Sequence, residues 1–212
     1  NLNGKEGIEF IDSVLESLEI KYEVLKEELN RIPKKGPFII VANHPFGGID
    51  GILLIKIISE IRPDFKLLPN FVLRKIDPMK EFFLDTNPFE GKMNSIENFA
   101  GLKATFKHIE AGMPLGVFPA GEVSTYYADN ENICDREWQY PVLNLIKKTN
   151  VPVIPVFFQG SNSRLYHILG RIHPVLKSAK LPSELLNKKN KLIKIRIGNP
   201  IPVKDLKELG DI

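Results

Sequence analysis

One segment of the chain combines residue types that can do acid–base chemistry: residues 41–51, which read VANHPFGGIDG. A chain that folds back over the two central glycines can bring the carboxylate of Asp50 to one nitrogen of the His44 imidazole. Such a contact fixes the tautomer of the ring and leaves the other nitrogen free as a general base. The turn at Gly47 and Gly48 also offers backbone N–H groups that an oxyanion or a phosphate can approach closely. The alternative, a hydrogen-bonded structural histidine beside a strand end, stays open at this point.

Two further segments place a turn that contains glycine after an apolar strand. Residues 116–124 read GVFPAGEVS, and residues 151–160 read VPVIPVFFQG. In open α/β sheets, ligands sit in the crevice beyond the carboxyl ends of the strands. Both segments are therefore candidates for parts of one site with the histidine turn.

The order of the three segments is Asn-His-Pro…Asp, then Phe-Pro-x-Gly, then Val-Pro-Val-Ile-Pro-Val. It resembles the glycerophospholipid (lysophospholipid) acyltransferase family, especially its bacterial hemolysin-like branch, over about residues 20–203. The resemblance implies transfer of an acyl group from a thioester of acyl carrier protein or coenzyme A to a lipid hydroxyl. It also implies His44 as general base with Asp50 as its partner, and neither a metal nor another cofactor. Five residues separate the two here, where the family motif usually has four.

The resemblance also carries over a set of substrate-binding positions. They are Asn43, Gly47, Gly48, Arg74, Phe118, Pro119, Gly121, Glu122 and Ser124. Arg74, within the sequence FVLRK, is the nearest match to a family arginine that holds the acceptor. Backbone N–H groups at Gly47, Gly48 or Gly121 are the candidates for holding the oxyanion that develops on the thioester.

The chain departs from the family at the Phe-Pro motif, whose usual form is Phe-Pro-Glu-Gly-Thr-Arg-Ser. The positions of the Glu, Thr and Arg carry Ala120, Glu122 and Val123. Glu122 either supplies the lost carboxylate from two residues later or is a solvent-facing loop acid. An arginine fork suits a phosphate, and valine cannot replace it. We therefore hypothesise that the acceptor is not a simple lysophosphatidate but a hydroxyl-bearing lipid such as an N-acyl amino acid.

Hydrophobic periodicity and turn residues predict the elements that position these segments. The predicted helices cover residues 5–18, 49–61, 95–111 and 141–149. The predicted strands cover residues 20–24, 38–42, 65–68, 115–118, 151–158 and 192–197. The last alternates basic and apolar residues, which suits an edge strand, and the chain after residue 20 also allows a continued helix. This alternation of strands and helices predicts an α/β fold with a mixed, largely parallel sheet flanked by helices, and the resemblance implies a glycerol-phosphate-acyltransferase-like arrangement.

Length and composition indicate one globular domain. The 212 residues are 43% hydrophobic and 26% charged, which excludes a disordered, collagen-like or coiled-coil chain. We expect one acyltransferase domain over residues 1–212, with an N-terminal helix at 1–18, a catalytic core at 19–203 and a C-terminal tail at 204–212. The single cysteine excludes an intrachain disulfide and fits a reducing compartment. The net charge of +3 is too small to indicate a nucleic-acid partner.

A lipid acceptor implies contact with a membrane surface. The longest apolar stretch, residues 49–61, falls short of the roughly 20 residues that a span needs, and the N-terminus is not a signal peptide. We therefore expect a cytoplasmic protein, peripheral on the inner face of the cytoplasmic membrane. Residues 164–172, RLYHILGRI, suit either a helix at the bilayer interface or a packed helix with snorkelling basic ends. The side chains that suit either an acyl groove or the core are Phe82, Phe83, Phe89 and Met93.

Two other functions fit the same residues. A thioester hydrolase would use His44 and Asp50 with water as the acceptor, although the Gly-x-Ser-x-Gly elbow of serine hydrolases is absent. A lipid-binding protein would keep the fold and lack the chemistry. A dinucleotide-binding domain is disfavoured because no Gly-x-Gly-x-x-Gly follows a predicted strand.

Overall fold

The computed structural model describes residues 2–68, 73–84, 96–127 and 132–208. The helices are α1 (Gly7–Ser17), α2 (Lys26–Leu29), α3 (Gly48–Ser59), α4 (Ile96–Glu110), α5 (Tyr140–Thr149), α6 (Arg164–Ile172), α7 (Pro174–Leu186) and α8 (Val203–Glu208). The strands are β1 (Lys21–Val24), β2 (Ile39–Ala42), β3 (Lys66–Leu67), β4 (Leu115–Val117), β5 (Thr125–Tyr127), β6 (Asn132–Cys134), β7 (Val153–Gln159) and β8 (Leu192–Ile197). Leu73–Lys75 and Asp77–Phe82 form 3₁₀ turns.

The main sheet has the strand order β1-β8-β7-β2-β4-β3. Its pairs are parallel except for β7 with β8, which run antiparallel. A separate antiparallel hairpin joins β5 and β6. This mixed, largely parallel sheet with helices on its faces confirms the predicted fold class.

The two faces of the sheet bury alternate residues of β2. Ile40 and Ala42 belong to one apolar cluster with residues of α1 and α3. Ile39 and Val41 belong to another, with residues of α4 and α5. Because successive side chains of a strand point to opposite faces, a strand covered on both sides is apolar throughout. This double burial fixes the carboxyl end of β2, from which the histidine turn leaves.

The prediction that β8 is an edge strand is wrong. β8 lies between β1 and β7, and Tyr22 of β1 pairs in register with Ile193. Its isoleucines are buried on one face while Lys194 and Arg196 are exposed on the other. The alternation therefore reflects an interior strand with one solvent-facing side. β1 forms the edge of the sheet next to it. The same pairing shows that residues 21–24 form a strand. The alternative of a helix that continues through these residues is therefore wrong.

Helix α7 was not predicted, because prolines at positions 174 and 182 read as helix breakers. Pro174 occupies the first turn, where no N–H is needed, and the His173 side chain accepts a hydrogen bond from the N–H of Val175 at the N-cap. Pro182 lies inside the helix. Tertiary packing overrides the local preference, since α7 lies against the histidine turn: a Cβ at Gly47 would stand 3.1 Å from Leu181 Cδ2.

Candidate active site

The site lies at the carboxyl ends of the central strands. β2 pairs in parallel with both β4 and β7, so the turns that follow these strands open at the same edge of the sheet. From β2 the chain continues to β3 and β4 on one side and later to β7 and β8 on the other. This reversal of strand order is the position at which open α/β sheets form a binding crevice.

The histidine turn brings its acid and base together. Gly47 has a φ of 89°, a conformation that glycine adopts at little cost, and α3 begins at the next residue. The bend places Nδ1 of His44 3.0 Å from Oδ2 of Asp50. The ring N–H is not aligned with this oxygen for a regular hydrogen bond. The five-residue spacing is accommodated within this bend.

Asp50 is anchored by the backbone of the turn. The carboxylate is fully buried, and its Oδ2 accepts the N–H groups of Phe46 at 2.9 Å and Gly47 at 3.0 Å. Burial raises the pKa of Asp50, although His44 and the two N–H groups act in the opposite direction. A buried carboxylate of this kind gains stabilisation when its neighbour becomes a cation.

The His44 ring is held on one side by Phe118, with the ring centroids 4.2 Å apart and the planes at 26°. The His44 backbone N–H donates to Oδ1 of Asp135 at 3.2 Å, and the Ser124 N–H donates to the His44 carbonyl at 2.9 Å. The residue is 4% exposed. Nε2 makes no hydrogen bond to any other residue in the described part of the chain, so this nitrogen has a lone pair or a proton to offer.

The loop after β4 supplies the second wall of the site. It carries Phe118, Pro119, Gly121 and Ser124, all predicted as substrate-binding residues. The Ser124 hydroxyl donates a short hydrogen bond to Asp135, and the Pro119 carbonyl accepts the N–H of Gln139 at 3.0 Å. Side chains and backbone from residues 135–139 therefore shape this loop.

The predicted oxyanion donors are not equivalent. The Gly47 N–H donates to Asp50, and the Gly121 N–H donates to the Phe118 carbonyl at 3.0 Å. Neither group is free to bind an oxyanion in this structure. The Gly48 N–H, at the start of α3, makes no hydrogen bond to a described residue. Among the three predicted groups, it is the one left to donate to an oxyanion.

Asn43 and Arg74 were also predicted to bind substrate. The Asn43 amide donates to the Phe158 carbonyl at 3.0 Å and accepts the Phe158 N–H at 2.7 Å, so both of its polar ends tie β2 to β7. Arg74 lies in the 3₁₀ turn, and its side chain is outside the described part of the structure. Phe82 and Phe83 pack in the core, whereas Phe89 and Met93 lie outside the described residues.

Sequence reasoning missed Asp135, which holds both His44 and Ser124. It follows the β5–β6 hairpin, far along the chain from the histidine, and no motif includes it. A half-buried acid that accepts hydrogen bonds from one backbone N–H and one hydroxyl has no local sequence signal.

Charged side chains gather around the loop after β4. Glu122 pairs with Arg136 at 2.6 Å and stands 3.9 Å from Nζ of Lys177. Lys177 Nζ donates to the Val123 carbonyl at 2.8 Å. On the other side of the turn, Lys188 is buried with its Nζ 4.9 Å from the centre of the Phe46 ring.

Within the described ranges, no group of three or more His, Cys, Asp or Glu side chains is arranged to hold a metal ion. Among the described helices, none has the length and apolar character needed to cross a bilayer. The arrangement that remains is one imidazole beside one buried carboxylate at a sheet crevice, which can move a proton to and from an oxygen or sulfur atom.

A protein-family model described as acyltransferase matches residues 4–212. The chain is 27% identical over 209 residues to the lyso-glycine lipid O-acyltransferase of Phocaeicola vulgatus, covering 93% of this chain and 70% of the relative. It is 28% identical over 209 residues to the protein of the same name in Bacteroides thetaiotaomicron, covering 93% and 72%.

A solved structure shares the fold. The crystal structure of the 1-acyl-sn-glycerophosphate (LPA) acyltransferase of Thermotoga maritima superimposes with a TM-score of 0.55 at 18% identity, over 92% of this chain and 70% of that chain. At this identity the likeness concerns the arrangement of strands and helices.

Proposed function

Because the chain belongs to the acyltransferase family, we propose that it moves a fatty acyl group from a thioester of acyl carrier protein or coenzyme A to the hydroxyl of a lipid. The family match confirms the acyltransferase class that the motif order predicts. The donor, the acceptor and the roles of individual residues are the proposal.

His44 acts as the general base in this proposal. Its Nε2 takes the proton of the acceptor hydroxyl while the oxygen attacks the thioester carbonyl. Asp50 stabilises the imidazolium that forms, and the imidazolium returns the proton to the departing thiolate. Base assistance of this kind contributes about 10²–10⁴-fold to a rate. The observation that carries the proposal is the 3.0 Å contact between His44 and a fully buried Asp50 at the crevice.

The developing oxyanion is assigned to the Gly48 N–H at the first turn of α3. This N–H is not used by the described part of the fold, and the positive end of the helix dipole favours negative charge there. An oxyanion donor of this type contributes roughly 3–4 kcal/mol to the transition state.

The acceptor is proposed to be an N-acyl amino acid lipid that bears a hydroxyl group. Val123 stands where the family motif has a phosphate-binding arginine, which disfavours a lysophosphatidate headgroup. Two relatives are named lyso-glycine lipid O-acyltransferases, and an amino acid lipid of that kind agrees with the loss of the arginine.

A lipid acceptor needs a surface that meets the bilayer, and we assign this to α6 and the start of α7. Exposed apolar side chains project here: Leu165, Ile168, Ile172, Val175 and Leu176. Exposed Arg164 and Arg171 flank them. An apolar strip with basic neighbours suits a helix lying on an anionic bilayer. This supports a peripheral protein on the inner face of the cytoplasmic membrane.

The test is an acyl-transfer assay with acyl carrier protein and coenzyme A donors against a panel of lipid hydroxyl acceptors. We expect transfer to an N-(3-hydroxyacyl)glycine above transfer to lysophosphatidate, and a loss of about 10²–10⁴-fold in His44→Ala. The control is a denaturant unfolding curve of His44→Ala, which shows whether the loss of transfer comes from a folded protein.

Three outcomes would contradict the proposal. A preference for lysophosphatidate would show that the proposed acceptor is wrong. Thioester loss that is independent of any acceptor would favour the hydrolase. A folded His44→Ala protein with unchanged transfer would favour a lipid-binding protein without this chemistry.

A further inference from the structure

Lys177 of α7 reaches into the loop after β4. Its side chain is 12% exposed, and its Nζ donates to the Val123 carbonyl at 2.8 Å. Val123 lies beside the histidine turn, since a Cβ at Gly47 would stand 3.5 Å from Val123 Cγ2. The next residue, Ser124, donates its N–H to the His44 carbonyl. The ammonium group therefore lies at the wall of the site, beside the backbone of the residue that stands in place of the family arginine.

The charge of this ammonium group is only partly compensated. An ammonium group has three N–H donors, and in the described part of the chain Lys177 uses one, toward a neutral carbonyl. The facing carboxylate of Glu122 is 3.9 Å away and is bound more closely by Arg136, at 2.6 Å. The ring of Tyr166 covers another side, with Nζ 5.5 Å from its centre. Burial lowers the pKa of Lys177, as does the Arg136 charge, while the carboxylates of Glu122 and Asp135 act in the opposite direction.

We propose that Lys177 binds the anionic headgroup of the acceptor, the carboxylate of an N-acyl amino acid, next to the exposed Arg136, which pairs with Glu122. The inference rests on the proposed function and gives its acceptor a binding residue. α7 supplies from a distant part of the chain the cation that position 123 lacks. A lysine is a compact point charge, which suits a single carboxylate, whereas the missing arginine fork suits a phosphate.

The experiment compares Lys177→Met with wild type on two acceptors: an N-(3-hydroxyacyl)glycine and its methyl ester, which lacks the negative charge. We expect the variant to raise KM for the acid about 10–100-fold, the range of a charge-assisted hydrogen bond. KM for the ester and KM for the thioester donor stay within about twofold, because neither meets Lys177. Lys177→Arg keeps most of the affinity for the acid, since it retains the charge.

The matched control is Lys189→Met, which removes the same charge from an exposed lysine paired with Glu19 at 2.9 Å. It leaves both acceptors unchanged. Because Lys177 also holds the Val123 carbonyl, the ester reaction shows whether the site keeps its shape. An equal loss for acid and ester, or a change in donor KM alone, would overturn the inference.

Two further outcomes separate this inference from the proposed function. If wild type favours lysophosphatidate and Lys177→Met removes that preference, the anion is a phosphate and the carboxylate assignment is wrong. If wild type transfers to no acceptor, the proposed function fails, and equilibrium binding of the N-(3-hydroxyacyl)glycine decides the headgroup site. Weaker binding by Lys177→Met would then support the inference, and equal binding would reject it.

Discussion

The two walls of the crevice are held in different ways. The histidine turn is closed by its own chain: Asp50 accepts the N–H groups of Phe46 and Gly47, four and three residues before it. The loop after β4 is held from a distance, by Asp135, by Gln139 and by Lys177 of α7. A self-contained turn keeps its geometry when its surroundings change. A loop held by several separate elements can lose one contact while the others keep its path.

We expect this difference to separate the residues that carry out the reaction from the residues that select the acceptor. The groups proposed to move protons lie on the self-contained turn, and the groups proposed to recognise the acceptor lie on or around the loop. Substitutions in the turn should therefore lower kcat for every acceptor, and substitutions around the loop should alter KM for particular acceptors. The predictions below test that separation, beginning with the largest effect.

Asp50→Asn should lower kcat about 10²-fold or more for every acceptor, because the imidazolium loses its counter-charge while the turn keeps an acceptor oxygen. The measurement is steady-state transfer with the acid and ester acceptors side by side. A loss confined to one acceptor would break the separation of the two walls.

The same variant should change how stability depends on pH. Burial raises the pKa of Asp50 above its usual 3.8, so the folded state holds this proton more tightly than the unfolded state. The contribution of this group to stability is fully present below the unfolded pKa and is lost as pH rises through the folded pKa. Denaturant unfolding should therefore show Asp50→Asn gaining stability relative to wild type as pH increases above 3.8. A constant difference would contradict the raised pKa.

Gly47→Ala should destabilise the protein by about 1–3 kcal/mol, because alanine resists the positive φ and its Cβ meets Leu181 at 3.1 Å. Gly112→Ala is the matched control: Gly112 has a φ of 85°, and a Cβ there meets no atom within 4 Å. Chemical denaturation should show the larger loss at Gly47, with kcat reduced at that position alone. Equal losses of stability and of kcat at the two positions would mean that α7 moves easily to make room for the added methyl group.

Asp135→Asn should have the smallest effect, a reduction of a few-fold in kcat/KM. Asparagine keeps an oxygen for the N–H of His44 and the Ser124 hydroxyl but loses the charge-assisted strength of those bonds. Kinetics with both acceptors should place the effect on both walls, because Asp135 is bonded to each. An effect as large as that of Asp50→Asn would make Asp135 part of the acid–base group rather than a positioning residue.

Local parts of the structure were accessible from sequence. β2, its glycine turn and α3 follow from a continuous apolar run, a turn signal and a helical period within about twenty residues. The contact between His44 and Asp50 needs only that stretch of chain to form. Their roles in catalysis stay predictions until kinetics test them.

The remaining features depend on contacts that single-sequence patterns do not carry. β8 shows the alternation of a half-exposed strand. This pattern is the same for an edge strand, which has one neighbouring strand, and for an interior strand, which has two. The prolines of α7 disfavour a helix in the sequence pattern, and packing stabilises the helix in the fold. Asp135 and Lys177 act on the site through tertiary contacts with residues far along the chain, and neither stands in a recognisable motif.

The clamp made by Asn43 has a consequence for how the crevice opens. Its amide gives Phe158 two hydrogen bonds that imitate an extra peptide rung between β2 and β7. Thermal fraying at this end of the two strands must break that rung first. Amide hydrogen exchange should therefore find the Phe158 N–H among the slowest protons of the protein.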